Sequence, residues 1–371
     1  MTNSRGGTIN DASRVPAVSR ATAILNFLAA VRSPQSVSAI ARETGYPKTS
    51  SHGICNTLVE LRLLFRGVDG TYWLGARVAE FGARARLGFQ HTLQIGLLIP
   101  TRDNAYYTAP LPQTTDDARA AGGEILIRDA RSDPNTQRTQ WFEMLNLGVD
   151  ALLVDAVDSN VFDDLLSLTS AAGIPVIAIG SRINGVSASV TSDNVQAGIV
   201  AGHYLAGQLA PGARIAIVDG LHKNANADRV TGFREAIREY PELEIVDHIN
   251  AADDDTPNGN AATRALMART PGISGIFAVC DPIAFGVGEQ LSETNQHIPI
   301  VSVDGREEAV DQITGSGPII ATAAQDPLRI FHLAIGIAVE LATGHRPLQA
   351  AALVPVKLIT RTNAARYIPW G

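Results

Sequence analysis

Between residues 94 and 323 this chain repeats one unit: a short apolar run, a polar loop and a helical pattern. The apolar runs fall at 94–99, 124–128, 151–154, 175–179, 214–218, 244–248, 275–279, 299–303 and 319–323. They are nearly continuous rather than alternating, as in strands buried on both faces of a parallel sheet. Helical patterns at 141–147, 161–172, 195–209, 231–240 and 283–294 lie between them. Repeated β-α units predict doubly wound sheets. Ligands on such sheets bind beyond the carboxyl ends of the strands, so the chemistry belongs there.

The first 92 residues differ in character. They hold 11 Lys/Arg against 5 Asp/Glu, a net of +6, which leaves 19 against 32, a net of −13, for the remainder. An acidic body with a basic head is the distribution expected if the head alone meets nucleic acid. A length of 371 residues suits two or three domains, and 45% apolar residues are ample for large cores. Cys55 and Cys280, the two cysteines, give no disulfide frame or metal knuckle, which fits a reducing cytosol. The polar opening MTNSRGGTIN has no export pattern behind it, and no window reaches the ~20 apolar residues of a membrane span. The expectation is a soluble, cytoplasmic protein with no membrane contact.

In the head, Val18, Ala21, Leu25 and Leu28 recur at spacings of three and four, one face of an amphipathic helix. Ser33-Pro34 interrupts it. Ser36 is the expected N-cap of a second helix that turns Val37, Ile40 and Ala41 inward, and Gly45 its left-handed stop. Pro47 opens a third helix with an expected core stripe of Ile54, Leu58 and Leu61. Two short helices across a glycine turn form a helix-turn-helix, whose second helix enters the major groove. Leu63–Arg66 and Thr71–Leu74 flank Asp69-Gly70, the signal of a hairpin and hence a wing. Lys48, Thr49, Ser50, His52 and Asn56 on helix three, with Arg66 on the wing, are the expected DNA contacts. Cys55 is expected to be a small packed hydrophobe.

The run VPAVSRATAILNFLA…SVSAIARETGYPKTSSHGICNTL…DGTYWLG, over residues 14–88, resembles the DNA-binding domain of IclR-type bacterial regulators. The family's recognition helix usually reads close to PKSTVHRLL. This chain has Pro47-Lys48-Thr49-Ser50-Ser51-His52-Gly53-Ile54-Cys55, so Gly53 stands where an arginine is usual. Residues 1–13 are expected to be flexible, 14–75 to form the winged domain and 76–92 a short linker helix, with the effector domain over 93–371.

The strand ends carry no GxGxxG, no P-loop, no GxSxG elbow and no histidine pair at metal-ligand spacing, so no enzyme class is favoured and no cofactor or metal is expected. They do carry planar polar groups and aromatics: Asn104, Tyr106, Tyr107, Ser181, Arg182, Arg229, Asp281, Asp304 and Gln325. Carboxylate, guanidinium and amide groups hold paired hydroxyls, and a tyrosine face covers C–H patches, a combination suited to a sugar or polyol. The run Asp253-Asp254-Asp255 reads as a solvated loop.

The order of these motifs resembles the periplasmic ribose-binding protein family and the effector domains of LacI-type repressors over residues 94–360. Asp103-Asn104-Ala105-Tyr106-Tyr107, Gly173–Ile177, Ser192-Asp193-Asn194, Arg229–Phe233, Val303-Asp304-Gly305 and Ala324–Pro327 carry it. It implies two doubly wound lobes of the type I periplasmic-binding-protein class joined by three crossovers. Lobe 1 would hold about 93–196 and 326–355, and lobe 2 about 197–325 and 356–371. It implies sugar contacts from Asn104, Tyr106, Tyr107, Arg182, Arg229, Asp304 and Gln325. Pro100, Gly180 and Cys280 depart from the ribose pattern, which points to another sugar or a smaller polyol. Cys280 then faces ligand or packs, and Asp281 is expected to cap its helix. Pro110 and Pro112 predict a first helix that starts late or kinks.

The two halves together predict a dimeric, ligand-responsive transcriptional regulator with a DNA operator and a sugar or polyol effector. Two alternatives stay open at this point: a regulator of amino-acid or purine ligands, and an enzyme on the same α/β fold.

Overall fold

The computed structural model describes residues 15–31, 33–67, 70–75, 77–78, 81, 92–158, 162–221, 223–345 and 351–370. The segment expected to be flexible and most of the expected linker helix lie outside these residues.

Among the described residues the head has three helices, Pro16–Ala30, Val37–Thr44 and Lys48–Glu60, and a hairpin of β1 (Leu64–Arg66) and β2 (Tyr72–Leu74). The helix-turn-helix forms as its local signals predict. Ser36 Oγ accepts from the Ala39 amide at 3.2 Å, and Gly45 ends the second helix at φ 76°. Leu64 pairs with Leu74 and Arg66 with Tyr72, which makes the wing. The core stripes are rotated from the expected ones. Helix one buries Ile24 and Leu28 while Val18 is exposed; helix three buries Ser51, Cys55 and Leu58 while Leu61 is exposed. Tyr72 of the wing is buried in the same small core as Cys55 and Leu58, so the inward face of helix three is the one that meets the hairpin.

The body consists of two six-stranded sheets. In the first, β3 (Leu93–Ile99), β4 (Gly123–Asp129), β5 (Ala151–Val154), β6 (Val176–Ile179), β7 (Ala188–Ser192) and β13 (Ala351–Val354) lie in the order β13-β7-β6-β5-β3-β4, all parallel. The second uses β8 (Arg214–Asp219), β9 (Glu244–Asn250), β10 (Gly275–Ala278), β11 (Ile300–Asp304), β12 (Ile319–Ala324) and β14 (Lys357–Thr360) in the order β14-β12-β11-β10-β8-β9. Only β14 is antiparallel among these pairs. The nine expected strands all form; β7, β13 and β14 join them. In each sheet the order in which strands are added reverses once, between β3 and β5 and between β8 and β10, and there a crevice opens at the strand ends.

The chain crosses between lobes after β7, after β12 and after β13. Pro110 and Pro112 split the first helix as expected, into a turn at Ala105–Thr108 and a helix at Leu111–Ala120. In lobe 2 the helices Asn194–Ala206 and Asn224–Ile237 lie in contact because both present glycine. A Cβ on Gly198 would stand 1.9 Å from the Arg229 carbonyl, and one on Gly232 2.0 Å from that of Val195. This approach brings Arg229 to the crossover at Asn194.

Candidate ligand cavity between the lobes

A cavity of about 80 Å3, open to the centre of a water-sized sphere, lies between the carboxyl ends of the two sheets. Asn104, Tyr106 and Tyr107 reach it from the end of β3, and Asp155 from the end of β5, so lobe 1 contributes from its switch point. Lobe 2 answers with Lys223 beyond β8 and Cys280 beyond β10, also at its switch point, and with Arg229, Asp304 and Gln325.

Two phenol rings form one wall. Tyr106 and Tyr107 meet edge to face at 5.1 Å, and burial pushes both phenols well above their ordinary range, so they stay neutral. Asn104 turns the chain into this wall, its Oδ1 accepting from the Tyr106 amide at 2.9 Å, so it caps a turn and lines the cavity at once. The opposite wall is a set of charges whose partners are fixed. Arg229 donates from Nε to Asn194 Oδ1 at 2.9 Å and from Nη1 to the Val279 carbonyl at 2.8 Å, with Asp304 Oδ1 at 3.5 Å. Gln325 Nε2 donates to Asp304 Oδ1 at 2.7 Å, and Ser192 Oγ donates to Gln325 Oε1 at 2.7 Å from the other lobe. Burial raises the Asp304 carboxyl above the usual carboxylate range, against the opposing pull of Arg229 and Gln325. Burial also raises the Cys280 thiol, which leaves it a packed, unreactive group on the cavity wall.

Seven of the eight expected ligand residues line this cavity: Asn104, Tyr106, Tyr107, Arg229, Cys280, Asp304 and Gln325. Arg182 does not. Its side chain is half exposed and pairs instead with Asp228 of lobe 2 at 2.9 Å. The Asn224 amide also donates to the Arg182 carbonyl at 2.9 Å, so this residue fastens one lobe to the other.

Two expectations about carboxylates are overturned. Asp281 does not cap its helix. Its carboxylate instead accepts from Ser302, Thr322 and the amides of Gly305 and Arg306, and so holds the turn that carries Asp304. The acidic run at 253–255 is not a solvated loop. Asp255 caps the helix Thr256–Arg269, and Asp254 sits in the cavity, accepting from Lys223 Nζ at 3.1 Å and from the Leu221 amide at 2.9 Å.

Asp155, Lys223 and Asp254 escaped the sequence reading. Asp155 is 5% exposed and takes a bond from Ser181 Oγ at 3.2 Å; burial pushes its carboxyl up to about 7 against Lys223, Ser181 and Tyr107. Burial disfavours the Lys223 ammonium, but Asp254 and Asp155 overcome it and raise its pKa. The position of Asp155, directly after a strand at the crevice, was the available signal. Lys223 and Asp254 lie on loops with no motif around them.

On the head, Lys48, Thr49, His52 and Arg66 are exposed and Ser50 is half-buried, while the Arg66 guanidinium stands 5.7 Å from the Tyr72 ring centre. Asn56 is turned away from that surface. Its Oδ1 accepts from Tyr72 OH at 3.3 Å, a consequence of the rotation of helix three toward the hairpin.

Residues 95–346 match the family model described as periplasmic binding protein domain. The chain belongs to the periplasmic binding protein family. Ahead of that domain, residues 17–66 match the IclR helix-turn-helix domain, so a DNA-binding head is joined to a periplasmic-binding-protein body. Among its relatives, the ribose import binding protein RbsB of Bacillus subtilis is 28% identical over 277 residues, 74% of this chain and 89% of that protein. The xylitol-binding protein of Mycolicibacterium smegmatis is 27% identical over 215 residues, 56% of this chain and 61% of that protein. A solved ABC transporter solute binding protein from Mycobacterium smegmatis with bound glycerol superposes with a TM-score of 0.70 at 27% identity, covering 74% of this chain and 96% of that one. Among the described residues no helix is long and apolar enough to cross a membrane.

Proposed function

We propose that this chain is a transcriptional regulator whose DNA affinity is set by a small sugar or polyol held between the two lobes. One observation carries the reading: a polar cavity with a tyrosine wall lies at both switch points, in a chain that begins with a helix-turn-helix. The cavity's carboxylates, guanidinium and amides match neighbouring hydroxyls, and the tyrosine rings match the C–H face of a carbon chain. Its volume of about 80 Å3 is five to eight times the ~10–15 Å3 that one water needs, room for a small polyhydroxylated guest. The ribose, xylitol and glycerol named for the relatives are guests of that kind.

Asp155, Asp254 and Asp304 face Lys223 and Arg229, so neighbouring hydroxyls of a neutral sugar would meet both acceptors and donors. Lys48, Thr49, Ser50, His52 and Arg66 would supply the DNA contacts, with Asn56 acting through the wing. A dimer would supply the affinity that one short reading helix lacks, and a DNA reader works in the compartment that holds DNA, the cytoplasm. Ligand acts by stabilising one lobe arrangement, and coupling to DNA of about 1–3 kcal/mol is the usual scale.

The test is a thermal-shift screen of the full chain with D-ribose, xylitol, glycerol, myo-inositol and D-ribose 5-phosphate, followed by fluorescence anisotropy on operator DNA with each hit. A neutral polyol that raises the melting temperature and shifts DNA affinity supports the reading. A probe that is consumed during incubation would identify an enzyme instead.

A further inference from the structure

Asp304 carries a conformational burden. Its φ is 137°, a region that a residue with a Cβ enters only when its surroundings hold it there. From inside lobe 2, the Asp281 carboxylate takes the amides of Gly305 and Arg306 at 2.9 and 2.8 Å. The carbonyl side is held by a different part of the chain. Tyr367 OH donates to the Gly305 carbonyl at 2.9 Å, and Trp370 Nε1 donates to the Asp304 carbonyl at 3.1 Å. The segment beyond β14 therefore passes behind the cavity and fastens both carbonyls of the strained turn.

Trp370 does more than fasten. Its ring meets that of Tyr106 edge to face, with centroids 6.0 Å apart and planes at 84°. Tyr106 belongs to lobe 1 and forms the cavity wall, whereas Trp370 is bonded to lobe 2. The contact therefore joins the two lobes, fixing Tyr106 relative to the turn that carries Asp304. Tyr106 in turn meets Tyr107 at 5.1 Å, which continues the aromatic line along the wall.

We propose that Trp370 is a positioning residue for the ligand cavity, holding the Asp304 carboxylate in place and locking the Tyr106 wall against it as the lobes close. The proposal rests on the reading of this cavity as a polyol site. It makes Trp370 a determinant of affinity although its indole is not part of the cavity lining.

The experiment uses the full chain as wild type, Trp370→Phe, Trp370→Ala and Ile368→Ala, the last being 87% exposed and the control. Hydrogen exchange without any ligand tests the fastening. Trp370→Ala is expected to speed exchange several-fold across residues 304–306 and at the Gln325 amide, which donates to the Asp304 carbonyl. Titration with xylitol and D-ribose tests the locking. Loss of an aromatic pair and a neutral hydrogen bond is expected to weaken affinity about tenfold in Trp370→Ala, and about threefold in Trp370→Phe, which keeps a ring. Tryptophan emission supplies a signature. Trp141 is fully buried inside lobe 1 and Trp73 lies on the wing, so a ligand-induced change seen in wild type should vanish in Trp370→Phe.

Wild-type exchange and affinity in Trp370→Ala would overturn the proposal, as would a lowered melting temperature with neither altered. If no probe binds wild type, the polyol reading fails, and the exchange measurement still decides whether Trp370 holds the turn. Should Trp370→Ala fold poorly, Trp370→Phe carries all three measurements.

Discussion

Gly180, at the end of β6, has φ 70°, and a Cβ built there would stand 2.1 Å from Asp155 Oδ2 and 3.0 Å from its Cγ. Replacing it with alanine therefore imposes two separable costs. A Cβ in the left-handed region costs roughly 1–2 kcal/mol whatever surrounds it. The overlap with a buried carboxyl adds about 1–3 kcal/mol, because Asp155 must rotate away and abandon its bond from Ser181. Gly180→Ala should then destabilise the body by about 2–5 kcal/mol, or about 4–20 °C at roughly 2–4 °C per kcal/mol for a body of this size.

In an Asp155→Ala background the overlap has nothing to meet, and only the backbone cost of about 1–2 kcal/mol remains. Thermal melts of wild type, both single variants and the double variant close this cycle. A coupling of at least about 1 kcal/mol is expected, well outside the ~0.5 kcal/mol within which independent sites add. Additive effects would refute the claim that glycine is required at 180 by the carboxyl beside it.

Asp155 also predicts a pH dependence. Its carboxyl titrates near 7 when folded against an ordinary 3.8, so the folded form binds the proton more tightly. The stability this contributes is complete below about pH 4, declines as pH rises to about 7 and is absent above, amounting to at most about 4 kcal/mol. Denaturant melts at pH 4.5, 6 and 8 should show Asp155→Asn gaining on wild type as pH rises; a constant difference would contradict it. Asp304→Ala should abolish the thermal shift given by any polyol hit while leaving DNA binding measurable, and an unchanged titration would remove Asp304 from the site. Lys48→Ala should lower the slope of log affinity for operator against log salt by about one, and an identical slope would mean that helix three faces elsewhere. Ser36→Ala should cost the head about 1 kcal/mol, read as a lower melting temperature for its transition.

The two-sheet body was legible because strands buried on both faces must be apolar throughout, as β5 and β6 are. Strands that break that pattern were not. Ala188–Ser192 mixes serine and threonine into its run, and Ala351–Val354 is an edge strand with one exposed side, so neither rises above a loop in sequence. In the cavity, residues that follow strands or sit in motifs were found, whereas Lys223 and Asp254 were missed because only the tertiary fold brings their loops together. The rotated stripe of helix three has the same origin. Periodicity finds a face, but Tyr72, arriving from the wing 16 residues after Asn56, decides which side is in. Asp281 shows the limit for polar groups: local spacing made it a helix cap, while four partners from β11, β12 and the turn between Asp304 and Arg306 claim its carboxylate.

How firmly the lobes hold each other through their own contacts decides whether a ligand can act as a switch. Arg182 with Asp228 is half exposed, and pairs of that kind contribute about 0–1 kcal/mol. The bond from Ser192 to Gln325 lies beside two crossovers, where the lobes move least on opening. The Asn224–Arg182 bond and the Tyr106–Trp370 ring contact are each of a kind that contributes about 1 kcal/mol. The contacts across the cleft therefore sum to a few kcal/mol, so both arrangements remain within reach of an effector. Driving such an equilibrium from 1:99 to 99:1 takes about 5.5 kcal/mol of differential binding. Hydrogen bonds from hydroxyls to charged groups contribute about 1.5–3 kcal/mol each, so two to four of them suffice. Asp155 on one lobe and Asp304 with Arg229 on the other line the cavity, so under the proposed reading a polyol spanning the cleft would donate to the carboxylates and accept from Arg229. A guest bound to one lobe alone would fill the same space without shifting the balance, because only contacts that span the cleft distinguish closed from open.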